Sequence, residues 1–187
     1  SFFMDYQKIK KILKKIKLSA PKILVLGDVM LDEYIEGNVE RISPEAPVPV
    51  LSLKNKKIVL GGAGNVARNL INLGASVVLG SIIGKDNDGK AIKELIRSSK
   101  IPLDGVLETQ NICSTKKTRF ICKSSQLLRL DNDSKGFKEE DYRSFQNIIN
   151  KLISKMDCII ISDYDKGVCQ ENFIKEIVKN AKFKNIP

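Results

Sequence analysis

The sequence predicts an α/β protein: a doubly wound parallel sheet with a small β lid. Three observations carry this. The runs Lys22-Ile23-Leu24-Val25-Leu26-Gly27 and Asp157-Cys158-Ile159-Ile160-Ile161-Ser162 are apolar without alternation, the mark of strands buried on both faces. Amphipathic helices alternate with such strands, which places helices on both faces of one sheet. Residues 33–60 contain Pro44, Pro47 and Pro49, which break any crossover helix and leave a β excursion.

Ser1-Phe2-Phe3 ahead of Met4 reads as residue left by expression and is set apart from the fold. Residues 5–18 read as a short basic helix with Ile9, Ile12, Leu13 and Ile16 on one face. Such a face packs on a domain more often than it lies on an anionic membrane. Residues 1–20 are thus one segment and 21–187 the domain, with lid segments at about 33–60 and 113–131. The first buried strand delivers Asp28 and then Asp32 at its carboxyl end, where ligands of open α/β sheets bind. An acid there can equally cap a turn. Pieces 33–39 and 48–53 are β-rich, and 58–60 lead into a glycine turn. A helix to about Leu73, a strand over 76–83, a helix over 90–99 and a weak strand over 105–108 follow. Segments 115–122 and 126–131 alternate around Lys123-Ser124-Ser125, a hairpin that joins the lid. Residues 139–156 form a helix with Phe145, Ile148, Ile149, Leu152 and Ile153 inward. The strand after it ends in Asp163-Tyr164-Asp165-Lys166-Gly167, and a helix over 171–181 follows.

Composition narrows the chemistry. With 187 residues the chain is one domain or a little more, and 42% apolar residues suit a globular core. No apolar run reaches the roughly 18 residues that cross a bilayer, and no secretory signal is visible. There is no histidine, which removes Ser-His-Asp, Cys-His and histidine-zinc chemistry. Cys113, Cys122, Cys158 and Cys169 form no C-x-x-C pair, and read as reduced thiols of a cytoplasmic protein, with Cys158 in the core. No metal site is expected. The net charge of +10 is concentrated in the first twenty residues, which hold six lysines against Asp5. No nucleic-acid motif and no interleaving of aromatic with basic residues accompany it, so neither nucleic acid nor membrane is the expected partner.

The stretch Leu60-Gly61-Gly62-Ala63-Gly64-Asn65-Val66-Ala67 lies between a β-like and a helix-like run. Glycine lets the backbone turn sharply and a ligand come close, and the helix after it opens with unpaired N–H groups. Gly62 to Ala67 also spells the dinucleotide fingerprint, but the next strand carries no acid to hold a ribose. A turn packed for structural reasons is the plain alternative. A polyol ligand is favoured over both, for reasons that come from the flanking segments. Gly80-Ser81-Ile82-Ile83-Gly84-Lys85 is one residue short of a P-loop and is followed by Asp86, where a hydroxyl should bind magnesium, so it is rejected.

The segments Gly27-Asp28-Val29-Met30-Leu31-Asp32, Arg41-Ile42-Ser43-Pro44-Glu45-Ala46-Pro47-Val48-Pro49-Val50, Gly61-Gly62-Ala63-Gly64-Asn65-Val66-Ala67 and Ser162-Asp163-Tyr164-Asp165-Lys166-Gly167 together resemble the ribokinase/PfkB-type sugar kinases. The resemblance covers about residues 21–185. The proline-rich run is specific to the branch that acts on D-glycero-D-manno-heptose 7-phosphate in ADP-heptose and lipopolysaccharide core synthesis. It implies a ribokinase-like N-terminal half, ATP and Mg2+ as co-reactants, transfer of the γ-phosphoryl to the anomeric hydroxyl, and homodimers formed through the lid. It further implies that Asp28, Asp32, Gly61, Gly62 and Asn65 line the sugar. Lys117, Arg119 and Arg129 would meet its 7-phosphate, with a solvated strand face as their alternative, and Lys166 would sit near the transferring phosphoryl. Gly64 stands where the family has alanine, and Asp165 replaces a small residue beside Lys166. The family's Gly-Ala-Gly-Asp motif, which supplies the general base, does not occur in these 187 residues. No catalytic residue is therefore expected here, the base being expected beyond Pro187, and the chain alone is expected to be inactive. The alternative is a non-catalytic sugar-phosphate-binding remnant, or a half that needs a partner chain.

Overall fold

The computed structural model describes residues 6–133 and 136–187. Helix α1 (Tyr6–Ser19) leads into β1 (Lys22–Gly27), and a long hairpin follows, β2 (Val29–Ile42) and β3 (Pro49–Gly62). Next come α2 (Ala63–Leu73), β4 (Ser76–Gly84), α3 (Asn87–Ser98) and β5 (Val106–Thr109). A second hairpin, β6 (Lys116–Cys122) and β7 (Ser125–Asn132), precedes α4 (Glu139–Ile153), β8 (Cys158–Ser162) and α5 (Glu171–Phe183).

Two four-stranded sheets result. The core sheet has the order β5-β4-β1-β8 with every pair parallel. Val25, Val77 and Leu79 on one face pack on Ala63 and Ala67 of α2 and on Ile92 and Ile96 of α3. Leu24 and Leu26 on the other face pack on Phe145 and Ile149 of α4 and on Phe173 and Ile177 of α5. Helices on both sides explain why β1 carries no polar alternation. Phe173 anchors the second layer, with ring centroids 5.4 Å from Tyr142 and 5.6 Å from Phe145.

The lid sheet has the order β3-β2-β6-β7. The proline-broken segment is thus two 14-residue strands rather than several short pieces, and β2 begins at Val29, directly after Asp28. The second hairpin joins it through parallel pairing of β6 with β2. Lid and core sheets therefore meet at the carboxyl end of β1.

Four expectations need correction. Strand β8 is not buried on both faces: it is an edge strand of the core sheet among the described residues, and Ile161 is 40% exposed. For the same reason Cys158 is half-buried rather than fully in the core. In α1, Ile12 is 51% exposed instead of inward, while the side chains of Leu13 and Ile16, like residues 1–5, lie outside the described residues. Helix α3 begins three residues early, because Asp86 caps it by accepting from the Gly89 N–H at 2.6 Å. That carboxylate also accepts from Ser114 N–H at 2.7 Å. Burial alone would raise its pKa, but these N–H bonds outweigh burial and lower it. No helix among the described residues is long and apolar enough to cross a membrane.

Candidate functional site

The glycine turn closes β3 and opens α2 beneath the lid. Gly62 has φ 56°, in the left-handed region, and a Cβ there would strike the Asp28 carbonyl oxygen. A Cβ on Gly61 would strike Oδ2 of Asp32. Both positions therefore need glycine for space, and Gly62 for conformation as well. Ala63 N–H donates to the Asp28 carbonyl at 2.9 Å, which ties the turn to the end of β1. No side chain caps the N-terminus of α2. Asn65 stands exposed in its first turn and accepts from Arg68 at 3.0 Å.

Asp28 does not face this turn with its side chain. It is 1% exposed, and its carboxylate accepts three backbone N–H groups from the loop after β8. Tyr164 and Lys166 donate to Oδ2 at 2.8 and 3.2 Å, and Val168 to Oδ1 at 3.1 Å. Of its two sequence readings, this geometry favours the turn-holding one, since the carboxylate is buried and each of its oxygens accepts from the loop. Lys166, on the loop so held, pairs with Asp133 at 2.5 Å, the other oxygen of Asp133 being buried without a partner. That hydrogen bond keeps the Lys166 ammonium above its usual pKa, and the charges of Asp131 and Asp165 add to it. Asp165 thus acts on Lys166 itself. Cys169 beside the loop is a poor nucleophile: burial, then the charges of Asp28 and Asp163, push its thiol up to about 12.

Asp32 lies on the lid face that turns toward the glycines. Strand alternation places it with Tyr34 of β2 and Lys117 and Arg119 of β6, and cross-strand register adds Arg129 and Asp131 of β7. Arg119 donates to Asp32 Oδ1 at 2.6 Å, and its guanidinium carbon lies 5.3 Å from the centre of the Tyr34 ring. This hydrogen bond raises the Arg119 pKa against the opposing effect of burial. Arg129 forks onto Asp131 at 2.9 and 3.1 Å. Lys117 has no carboxylate partner among the described residues and stands 5.9 Å over the Tyr164 ring. The opposite lid face holds Glu33, 4% exposed, between Lys56, Lys116 and Thr118. Burial would raise the Glu33 pKa, but these partners outweigh it and lower it.

The structure thus places Asp32, Lys117, Arg119 and Arg129 on one lid face, with Gly61 against the Asp32 carboxylate and Gly62 next to it in the turn. Asn65 is exposed in the first turn of α2, and Lys166 lies on the loop after β8, paired with Asp133. Sequence reading missed Tyr34, Asp131, Asp133 and Tyr164, which hold Arg119, Arg129, Lys166 and Lys117. The signal for two of them was present: Tyr34 and Asp131 stand two residues from Asp32 and Arg129, and so share their strand faces. Among the described residues no group of three or more Asp, Glu, Cys or His is placed to hold a metal.

A wound parallel sheet with a glycine turn at its carboxyl edge, under a β lid that carries an acid among cations, is the architecture of an α/β sugar kinase. The chain belongs to the pfkB family of carbohydrate kinases, whose profile matches residues 20–184. The bifunctional protein HldE of Sulfurimonas denitrificans is 39% identical over 172 residues, which covers 90% of this chain and 36% of that protein. HldE of Helicobacter pylori strain G27 is 41% identical over 161 residues, 86% of this chain and 35% of that protein. The chain therefore spans about a third of the length of these curated relatives. Among solved structures, phosphofructokinase-2 from Escherichia coli in complex with fructose-6-phosphate superposes with a TM-score of 0.64 at 16% identity, over 88% of this chain and 52% of that one. A carbohydrate kinase from Agrobacterium tumefaciens gives 0.61 at 21% identity, over 89% and 52%. At these identities the structural likeness speaks to the fold alone, which is ribokinase-like.

Proposed function

We propose that this chain binds D-glycero-D-manno-heptose 7-phosphate between the glycine turn and the lid, as the sugar-binding part of a kinase of ADP-heptose synthesis. The complete enzyme transfers the γ-phosphoryl of ATP, with Mg2+, to the anomeric hydroxyl. The observation that carries this reading is the shared lid face. Asp32 presents an acceptor suited to sugar hydroxyls, and Lys117, Arg119 and Arg129 stand beside it as cations suited to a phosphate. Arg119 and Arg129 are direct cross-strand partners, their like charges offset by the Asp32 and Asp131 carboxylates beside them. The HldE relatives and the proline-rich 41–50 run support the heptose over other sugars. ATP and Mg2+ are what kinases of this family use; in this chain we assign Lys166, now paired with Asp133, to meet a phosphoryl group. The cytoplasm, where ATP is available, is the compartment that goes with this role.

A thermal-shift titration tests the substrate. Heptose 7-phosphate should raise the unfolding temperature, since a ligand of the folded state alone stabilises it, and fructose 6-phosphate and NAD should do so less or not at all. A shift with NAD and none with the heptose would return the glycine turn to a dinucleotide reading. The lid's other face exposes Ile58, Leu128 and Leu130 at 36%, 60% and 58%. We assign that face to a second copy of the chain. Sedimentation of the chain as a monomer at micromolar concentration would remove this assignment.

A further inference from the structure

Asp32 and Arg119 are 87 residues apart in sequence and meet diagonally across β2 and β6. The two oxygens of the Asp32 carboxylate have different surroundings. Oδ1 accepts from Arg119 at 2.6 Å. Oδ2 has no hydrogen-bond partner among the described residues and lies directly over the Gly61 backbone, where a Cβ would collide with it. The Arg119 guanidinium carbon in turn lies 5.3 Å from the Tyr34 ring centre, within cation–π range, and its side chain is only 23% exposed. A guanidinium fixed by a carboxylate on one side and an aromatic face on another is poorly free to move toward an anion. Arg129 and Lys117 are differently placed: Arg129 also holds a carboxylate, Asp131, but is 51% exposed, so an anion can reach its guanidinium from solvent, and Lys117 has no carboxylate to release.

We infer that Arg119 is a positioning residue that acts through Asp32, anchoring Oδ1 so that Oδ2 is presented to the sugar over the glycine turn, and that Arg129 and Lys117 are the cations left for the phosphate. This rests on the sugar-phosphate reading above and divides its residues between two tasks. A carboxylate with one oxygen tied has a single orientation toward a ligand. That removes the rotational freedom binding would otherwise have to freeze. The arrangement also explains why glycine is needed at position 61: the free oxygen occupies the space of its missing side chain.

Calorimetric titration of the 187-residue chain with heptose 7-phosphate and with the same heptose lacking phosphate tests the division. Arg119→Gln should weaken both ligands by the same factor, about tenfold, the worth of one charge-assisted hydrogen bond. Arg129→Gln should weaken only the phosphorylated ligand. In an Asp32→Asn background Arg119→Gln should add little, because its effect runs through that carboxylate. Arg119→Lys keeps the charge but loses the planar guanidinium, and should give a smaller loss, again equal for both ligands. A loss on Arg119→Gln confined to the phosphorylated ligand, or full additivity with Asp32→Asn, overturns the inference and makes Arg119 a phosphate ligand. Binding of neither heptose by the unmodified chain overturns the sugar site and this role together, a result distinct from any pattern among the variants.

Discussion

Asp32→Asn is expected to weaken heptose 7-phosphate binding about a hundredfold while leaving the unfolding temperature within a few degrees of the unmodified chain. The carboxylate is a charged acceptor beside vicinal hydroxyls, and hydrogen bonds to a charged group are worth about 1.5–3 kcal/mol each. The amide is nearly the same shape but uncharged, and half of its polar end donates instead of accepting. Two weakened bonds give the hundredfold loss, at about 1.4 kcal/mol per tenfold. Stability changes little because the amide keeps an oxygen that can accept the Arg119 hydrogen bond in place of the Asp32 carboxylate oxygen. Calorimetry on the variant reads the loss directly. Unchanged affinity would move the sugar away from the lid face and with it the proposed function.

Asp28→Ala should lower stability by about 3 kcal/mol, because three backbone donors lose their acceptor inside the fold. For a chain of this size that is a fall of roughly 10 °C in unfolding temperature. The damage should be local first: exchange of the Tyr164, Lys166 and Val168 amide hydrogens should quicken well before that of β1 or β4. Since this loop carries Lys166, its loosening also frees the ammonium from the place where Asp133 holds it. The two sequence readings of Asp28 separate here. A stable variant with unchanged exchange but lost heptose binding would make Asp28 a ligand contact; an unstable one with rapid exchange in 164–168 makes it the anchor of the loop.

Much of this architecture was legible because it is locally encoded. The unalternated run of β1 announced a strand covered on both sides, and three prolines between residues 44 and 49 ruled out a crossover helix. Gly61 and Gly62 drew attention because a ligand or an acid can come close only where no side chain stands. Asp32 was singled out by its place just past a strand's carboxyl end. The same logic failed for β8: an unalternated run signals apolar surroundings on both faces, yet Ile161 is exposed where β8 borders the described sheet. It left Asp28 open between two roles, because an acid at a strand end looks alike whether it meets a ligand or three amides.

By itself, then, the sequence determined the classes of element, the glycine turn and the residue types that converge on it. These follow from periodicity, steric allowance and charge, all properties of neighbours in the chain. Only the tertiary structure decided which partner each charged group meets. Asp32 finds Arg119 across β2 and β6, Lys166 finds Asp133, and Asp28 finds a loop 136 to 140 residues further on. Such pairings depend on sheet order and strand register. Those are set by how whole layers pack, so no local pattern around Asp28 or Arg119 records them.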